Sequence, residues 1–289
     1  MLSDGLKAKV EEMLGDRLVS VEPVAGGCIG RAARIQTSSR SFFAKWGPPQ
    51  VSRTFVAEQA GLEALRAASS IVRIPVVVGS RTLSDGTGIL VMEWIESVPL
   101  TGSLWAQLGR GLAEIHRKSE NLFGFTEDNY IGSSVQKNTQ CENWCSFFRD
   151  QRLRFQANLA RSNNLWSSSW DAAFDRLCKE LDDIVPEYPD SSLVHGDLWS
   201  GNILADTSGN PVLVDPAVYY GHREVDLAMS SLFGSLPNVF YDTYHTEWPV
   251  DEEYDRRKEV YNLYHLINHL NLFGTSYASS VASVLAKYR

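Results

Sequence analysis

The segment LVHGDLWSGNILADTSGNPVLVDPAVYYGHREVDLA, residues 193–228, constrains this chain more than any other stretch. It sets Asp197, Asn202 and Asp215 among apolar runs, where a lone carboxylate is costly unless it is paired, hydrogen-bonded or bound to a cation. A divalent metal with a phosphate meets that demand. HGDLWSGN carries the spacing H-x-D-x-x-x-x-N of a kinase catalytic loop, with His195, Asp197 and Asn202 in the named positions. In that chemistry the aspartate takes or orients the proton of an attacking hydroxyl, and the asparagine holds magnesium. His195 is expected to prop the loop through hydrogen bonds.

The runs ILAD and PVLVD flank the turn TSGN and read as a hairpin. If Asp206 faces Pro211, antiparallel pairing sets Asn202 opposite Asp215, and both side chains leave the same end of the ribbon. Two protein oxygens, completed by water and substrate phosphates, are a common way to hold Mg2+.

FFAKW places Phe43 and Lys45 on one face of a strand. In the helical stretch that follows, Phe55, Glu58, Leu62 and Leu65 recur at helical spacing, so Glu58 lies within an apolar stripe. A carboxylate on a buried face needs a cation, and Lys45 is its natural partner. Such a strand-lysine and helix-glutamate pair aims the lysine at ATP phosphates in kinases. Upstream, GGCIGRA matches neither common glycine-rich nucleotide motif. Gly26 and Gly27 would still let backbone N–H groups approach a phosphate. Cys28, between these glycines and the next strand, is expected to carry the most reactive of the four thiols, open to redox control. The apolar strand GILVMEWIE leads to Glu93, Trp94 and Ile95, where a kinase would bond adenine through backbone atoms.

The remaining texture places these motifs in an α+β fold. An amphipathic helix at MLSDGLKAKVEEML, strand patterns and one further helix fill residues 1–96, and mainly helical periodicity fills residues 97–289. This predicts a small antiparallel N-lobe that binds nucleotide phosphates and a larger helical C-lobe with the catalytic loop, metal ligands and substrate site. The net charge of −8 argues against a nucleic-acid surface. No apolar run approaches the roughly 20 residues of a membrane span. The four cysteines form no C-x-x-C pair, which suggests the cytoplasm; Cys141 and Cys145, four apart, would share a helix face.

HGDLWSGN, VDPAVYYGHREVDLAMSSLFG, GGCI, FGFTEDNYIG and QKN together resemble the fructosamine/ketosamine-3-kinase family. That family lies in the aminoglycoside-phosphotransferase-like branch of the protein-kinase-like fold. The resemblance implies ATP-dependent phosphorylation of a ketosamine at its 3-hydroxyl, on a small molecule or a protein. It implies Asp197 as base, Asn202 and Asp215 as Mg2+ ligands, and Lys45 with Glu58 at the phosphates. It further implies Trp199 beside the sugar and Asp226 bracing the catalytic loop. Gly30 departs from the family, which usually has a polar residue there, and Trp46 directly after the lysine is also unusual. Two other readings stay open: a phosphotransferase of the aminoglycoside or choline kinase type, and a nucleotide-binding pseudokinase.

Overall fold

The computed structural model of the chain describes residues 2–24 and 30–288. Helix α1 (Asp4–Leu14) is N-capped by Ser3, whose hydroxyl oxygen accepts from the Leu6 N–H, and ends at Gly15 in left-handed backbone. Its Leu6 and Val10 bury against Ile35, Ala44 and Val91 of an antiparallel sheet. That sheet contains β1 (Leu18–Pro23), β2 (Arg31–Thr37), β3 (Ser41–Gly47), β4 (Val77–Thr82) and β5 (Gly88–Glu93), in the order β1-β2-β3-β5-β4. Helix α2 (Pro49–Ala68) links β3 to β4. It starts at Pro49, ahead of the apolar periodicity, because a proline is well tolerated in a helix's first turn.

Strand β6 (Ser97–Val98), helix α3 (Gly102–His116) and the short strands β7 (Asn129–Ile131) and β8 (Ser134–Gln136) come next. Helix α4 (Trp144–Phe147) runs through a π-helical stretch (Phe148–Arg154) into α5 (Phe155–Ser162), followed by α6 (Asp171–Lys179). Four strands then surround the HGDLWSGN segment, the candidate catalytic segment: β9 (Ser191–Val194), β10 (Ile203–Asp206), β11 (Pro211–Leu213) and β12 (Tyr219–His222). Helices α7 (Glu224–Met229), α8 (Asn238–Glu247), α9 (Tyr254–Phe273) and α10 (Ala278–Leu285) complete the chain.

Beyond the predicted β10–β11 hairpin, the C-terminal part holds two further ribbons, β7–β8 and β9–β12. Their pairing rests on tertiary contacts rather than on a run of apolar residues beside a marked turn. The expected shared helix face of Cys141 and Cys145 is not formed. Asn143 caps α4, so Cys141 precedes the helix and instead bridges to Phe123.

One apolar cluster positions the site. Phe55, Leu62 and Leu65 of α2 pack with Leu108 and Leu112 of α3 and with Leu193, Leu198 and Leu213 around the catalytic segment. The helix that carries Glu58 is therefore fixed to the segment that carries Asp197 and Asp215. Backbone bonds add to this, from Arg73 N–H to Pro211 O (2.9 Å) and from Leu213 N–H to Arg73 O (3.1 Å).

Candidate active site

A cleft of about 350 Å3 lies between α2, the sheet and the catalytic segment, lined among others by Lys45, Glu58, Tyr130, Asp197, Asn202 and Asp215. Lys45 enters from β3, and its Nζ donates to Glu58 Oε1 at 2.8 Å and to Asp215 Oδ1 at 2.5 Å. Burial alone would lower the lysine's pKa, but the charges of Glu58 and Asp215 more than reverse this and hold it above its ordinary value. The ammonium is thus a fixed positive charge. Phe43 shares the Lys45 face as the pleat predicts, with its ring 5.9 Å from Nζ.

Asp197 follows the loop turn at Gly196. Burial pushes its carboxyl up to about 7, helped by the nearby Asp215 and Asp226 and opposed by a hydrogen bond from Asn202. Asn202 Nδ2 donates to Asp197 O at 2.8 Å and to Asp197 Oδ2 at 3.0 Å. Both contacts engage the amide nitrogen, which leaves Oδ1 as the oxygen a cation would meet. Asp215 has a left-handed backbone at φ 54°, uncommon outside glycine and often seen at functional sites.

The loop is held from behind. Asp226 of α7, fully buried, accepts from the backbone N–H groups of His195 (2.6 Å) and Gly196 (2.9 Å) and meets His116 Nε2 at 3.1 Å. Burial would raise the Asp226 carboxyl, yet these bonds leave it below its ordinary range. Burial also lowers the pKa of His195 and His116, favouring the neutral rings. His195 Nε2–H then donates to Val214 O at 3.0 Å while Nδ1 accepts from the Asp197 N–H at 3.3 Å, a propping geometry.

The predicted hairpin register is off by one residue. Ile203 pairs with Leu213, so Asn202 faces Val214 rather than Asp215. The cause is the turn: Asp206 Oδ1 accepts from the N–H groups of Ser208 and Asn210, closing Asp206 onto Asn210 instead of Pro211. Asn202 and Asp215 still border the same cleft. Their carboxamide and carboxylate oxygens are hard ligands suited to Mg2+, and among the described residues no cluster of three or more His, Cys, Asp or Glu offers a complete metal site. That donor set fits a metal that shares its coordination with phosphate oxygens.

Trp199 also lines the cleft, 37% exposed, edge-on to Phe233 and lying over Gly201, where a Cβ would strike its ring. Glu93, Trp94 and Ile95 lie outside the cleft, at the end of β5. The Glu93 N–H is committed to Val76 O, and its carboxylate accepts from Arg73, which also holds Asp206. Trp94 packs on Phe43, which links it to the Lys45 face. Gly26, Gly27 and Cys28 lie outside the described residues. Gly30, left-handed at φ 78°, could not hold a side chain without striking Trp46 O at 2.6 Å. Sequence reasoning passed over His116 and Tyr130. His116 sits four residues after Leu112 in the α3 stripe, so a polar residue on an apolar face was its signal.

The fructosamine kinase family model matches residues 4–289. A "Probable ketoamine kinase" of Enterococcus faecium is 41% identical, over 93% of this chain and 95% of that one. The chloroplastic protein-ribulosamine 3-kinase of Arabidopsis thaliana is 38% identical, over 94% and 83%. A provisionally named fructosamine-3-kinase from Thermobifida fusca, of known crystal structure, superposes with a TM-score of 0.88 at 28% identity, covering 99% and 98%. A choline kinase from Streptococcus pneumoniae superposes at 0.67 with 17% identity over 98% of both chains, a likeness of fold alone. The fold is α+β and protein-kinase-like.

Proposed function

The chain belongs to the fructosamine kinase family, and from that premise we propose that it phosphorylates ketosamines on their 3-hydroxyl at the expense of ATP. Ketosamines are the adducts that sugars leave on amines, so the activity is a repair of glycation. The observation that carries this reading is the fructosamine kinase match over residues 4–289, and Asp197, lifted by burial to about 7 in the cleft that Lys45 enters, fits the base it requires. A base near neutrality is matched to accepting a hydroxyl proton.

Asp197 takes the proton of the sugar 3-hydroxyl as that oxygen bonds to the γ-phosphorus. The bond from phosphorus to the bridging oxygen breaks, and ADP leaves with the electron pair. Lys45, fixed by Glu58, holds the phosphates. Asn202 and Asp215 would bind Mg2+ together with those phosphates, which supplies charge neutralisation there. Asp215 must then give up part of its contact with Lys45. Trp199 offers an apolar face to the sugar, while Asp226 and His195 hold the loop. Gly26, Gly27 and the backbone of Trp94 and Ile95 are assigned to the nucleotide at the edge of the cleft, whereas the Glu93 N–H is already committed to Val76 O. In this reading residues 1–96 bind the nucleotide phosphates and residues 97–289 carry the catalytic loop, the metal ligands and the substrate site. No helix among the described residues is long and apolar enough to cross a membrane. We assign a cytoplasmic setting on the free thiols Cys141, Cys145 and Cys178.

The test is ATP consumption with fructosyl-, ribulosyl- and erythrulosyl-lysine, free and on protein, beside kanamycin and choline. Turnover is expected with ketosamines, only with Mg2+ present. Turnover of kanamycin or choline instead, or ketosamine-independent ATP loss alone, would overturn the assignment.

A further inference from the structure

Arg152 sits in the π-helical stretch, completely buried, and among the described residues no carboxylate pairs with it. Burying an unpaired cation is expensive, so something in its surroundings must compensate. Its guanidinium lies 4.0 Å from the Tyr219 ring centroid, 4.7 Å from Phe147 and 5.6 Å from Tyr264, an aromatic cage. Its two terminal nitrogens donate to Lys137 O, to Gln151 O at 3.2 Å and to Asn138 Oδ1 at 2.8 Å, while Nε has no partner among the described residues.

Those acceptors open a buried chain of uncharged amides. Asn138 Nδ2 donates to Asn129 Oδ1 at 2.9 Å, and Gln136 Nε2 donates to the same oxygen at 2.8 Å. Gln136 Nε2 also reaches Ala217 O at 2.9 Å, Asn129 Nδ2 reaches Val218 O at 2.7 Å, and the Tyr264 hydroxyl donates to Gln136 Oε1 at 2.8 Å. Asn129 and Gln136 are paired across the β7–β8 ribbon. The chain therefore binds that ribbon to Ala217 and Val218, directly downstream of Asp215. The same ribbon presents Tyr130 and Gly132 to the cleft. It also packs beside α2, which carries Glu58.

We propose that Arg152 is a positioning residue for the acceptor: through Asn138, Asn129 and Gln136 it locks the Tyr130 wall of the cleft in register with the Asp215 segment. A guanidinium suits this role because its planar fork serves several fixed acceptors at once, which an ammonium on a flexible stem does not. Without it, Asn138 Oδ1 and Lys137 O lose a buried donor, and the ribbon loses one end of its tether. The phosphate end of the cleft stays tied by Lys45 and Glu58, so the loss falls on the acceptor side. This inference rests on the ketosamine kinase reading for the identity of the acceptor, though not for the geometry.

The experiment is steady-state kinetics of Arg152→Lys and Tyr264→Phe beside the wild type, with each substrate varied in turn. The acceptor is whichever of the panel above the wild type turns over, so wild-type turnover tests the function and the variant-to-wild-type ratio tests the tether. Arg152→Lys leaves buried acceptors of the ribbon unpaired and loosens the wall that binds the acceptor in ground and transition state alike, so it should lower kcat/KM for the acceptor by roughly 10–100-fold, mainly through KM. The KM for ATP should move less than the KM for the acceptor, because Lys45 and Glu58 keep their own ion pair and only the Asp215 side of the phosphate site borders the tether. Tyr264→Phe, which removes one hydroxyl and keeps the ring, should shift the same constant several-fold in the same direction. It carries the test if Arg152→Lys does not fold. A purely structural role would lower the active fraction and hence kcat, leaving both KM values unchanged. That pattern, or equal shifts in both KM values, would overturn the proposal.

Discussion

An aspartate of ordinary pKa, about 3.9, is a weak base for a sugar hydroxyl at neutral pH. In Asp197 burial raises the carboxyl to about 7, while the hydrogen bond from Asn202 restrains the shift. The group must be ionised to accept the proton, so acid removes the active form. kcat/KM for the acceptor should therefore climb about tenfold per pH unit below pH 7 and level off above it. Asp197→Asn should lose that limb and lower kcat by a factor on the order of 10² or more, with ATP affinity kept. Rate measurements from pH 5 to 9 on both proteins decide the matter; a flat wild-type profile, or an active asparagine variant, would contradict the role. At this scale the sequence was informative where a polar residue interrupts an apolar pattern. Glu58 announced its need for Lys45 in this way, and the pair forms. Arg152 gave no such signal, because its partners are carbonyls and rings distant in sequence and visible only after folding.

Among the elements, the turn between β9 and the catalytic loop tolerates least. Gly196 has φ 80°, and a Cβ there would lie 2.0 Å from Ala217 O. The clash is with backbone, which also accepts no help from a rotamer change. Gly196→Ala should destabilise the fold by about 2–4 kcal/mol from left-handed strain and overpacking together. Urea melts of the variant and wild type measure this, and coincident midpoints would refute it. The β10–β11 hairpin shows how far element reading reaches. Apolar runs on either side of the turn TSGN located both strands, but the register depended on which backbone groups the Asp206 side chain captured, and that moved Asn202 by one place. The β7–β8 and β9–β12 ribbons escaped detection because they owe their pairing to tertiary contacts rather than to a run of apolar residues beside a marked turn.

On the scale of the whole molecule, the passage from a strand-rich part to a mainly helical one was legible because hydrophobic period changes from alternation to helical spacing near Glu96. Composition did not reveal that α2 would share an apolar cluster with α3 and the catalytic segment. That cluster is what allows Lys45, near the start of the chain, to meet Asp215, 170 positions later. The assembled cleft makes one central claim: a base and a phosphate-holding lysine converge on a single hydroxyl of a ketosamine. The most direct measurement is the position of the phosphate in the product formed from ATP and the ketosamine that the wild type turns over, read by phosphorus–proton coupling in NMR. The account predicts phosphorus coupled to the proton on carbon 3 of the sugar; phosphate on another hydroxyl, or free phosphate with unmodified ketosamine, would contradict it.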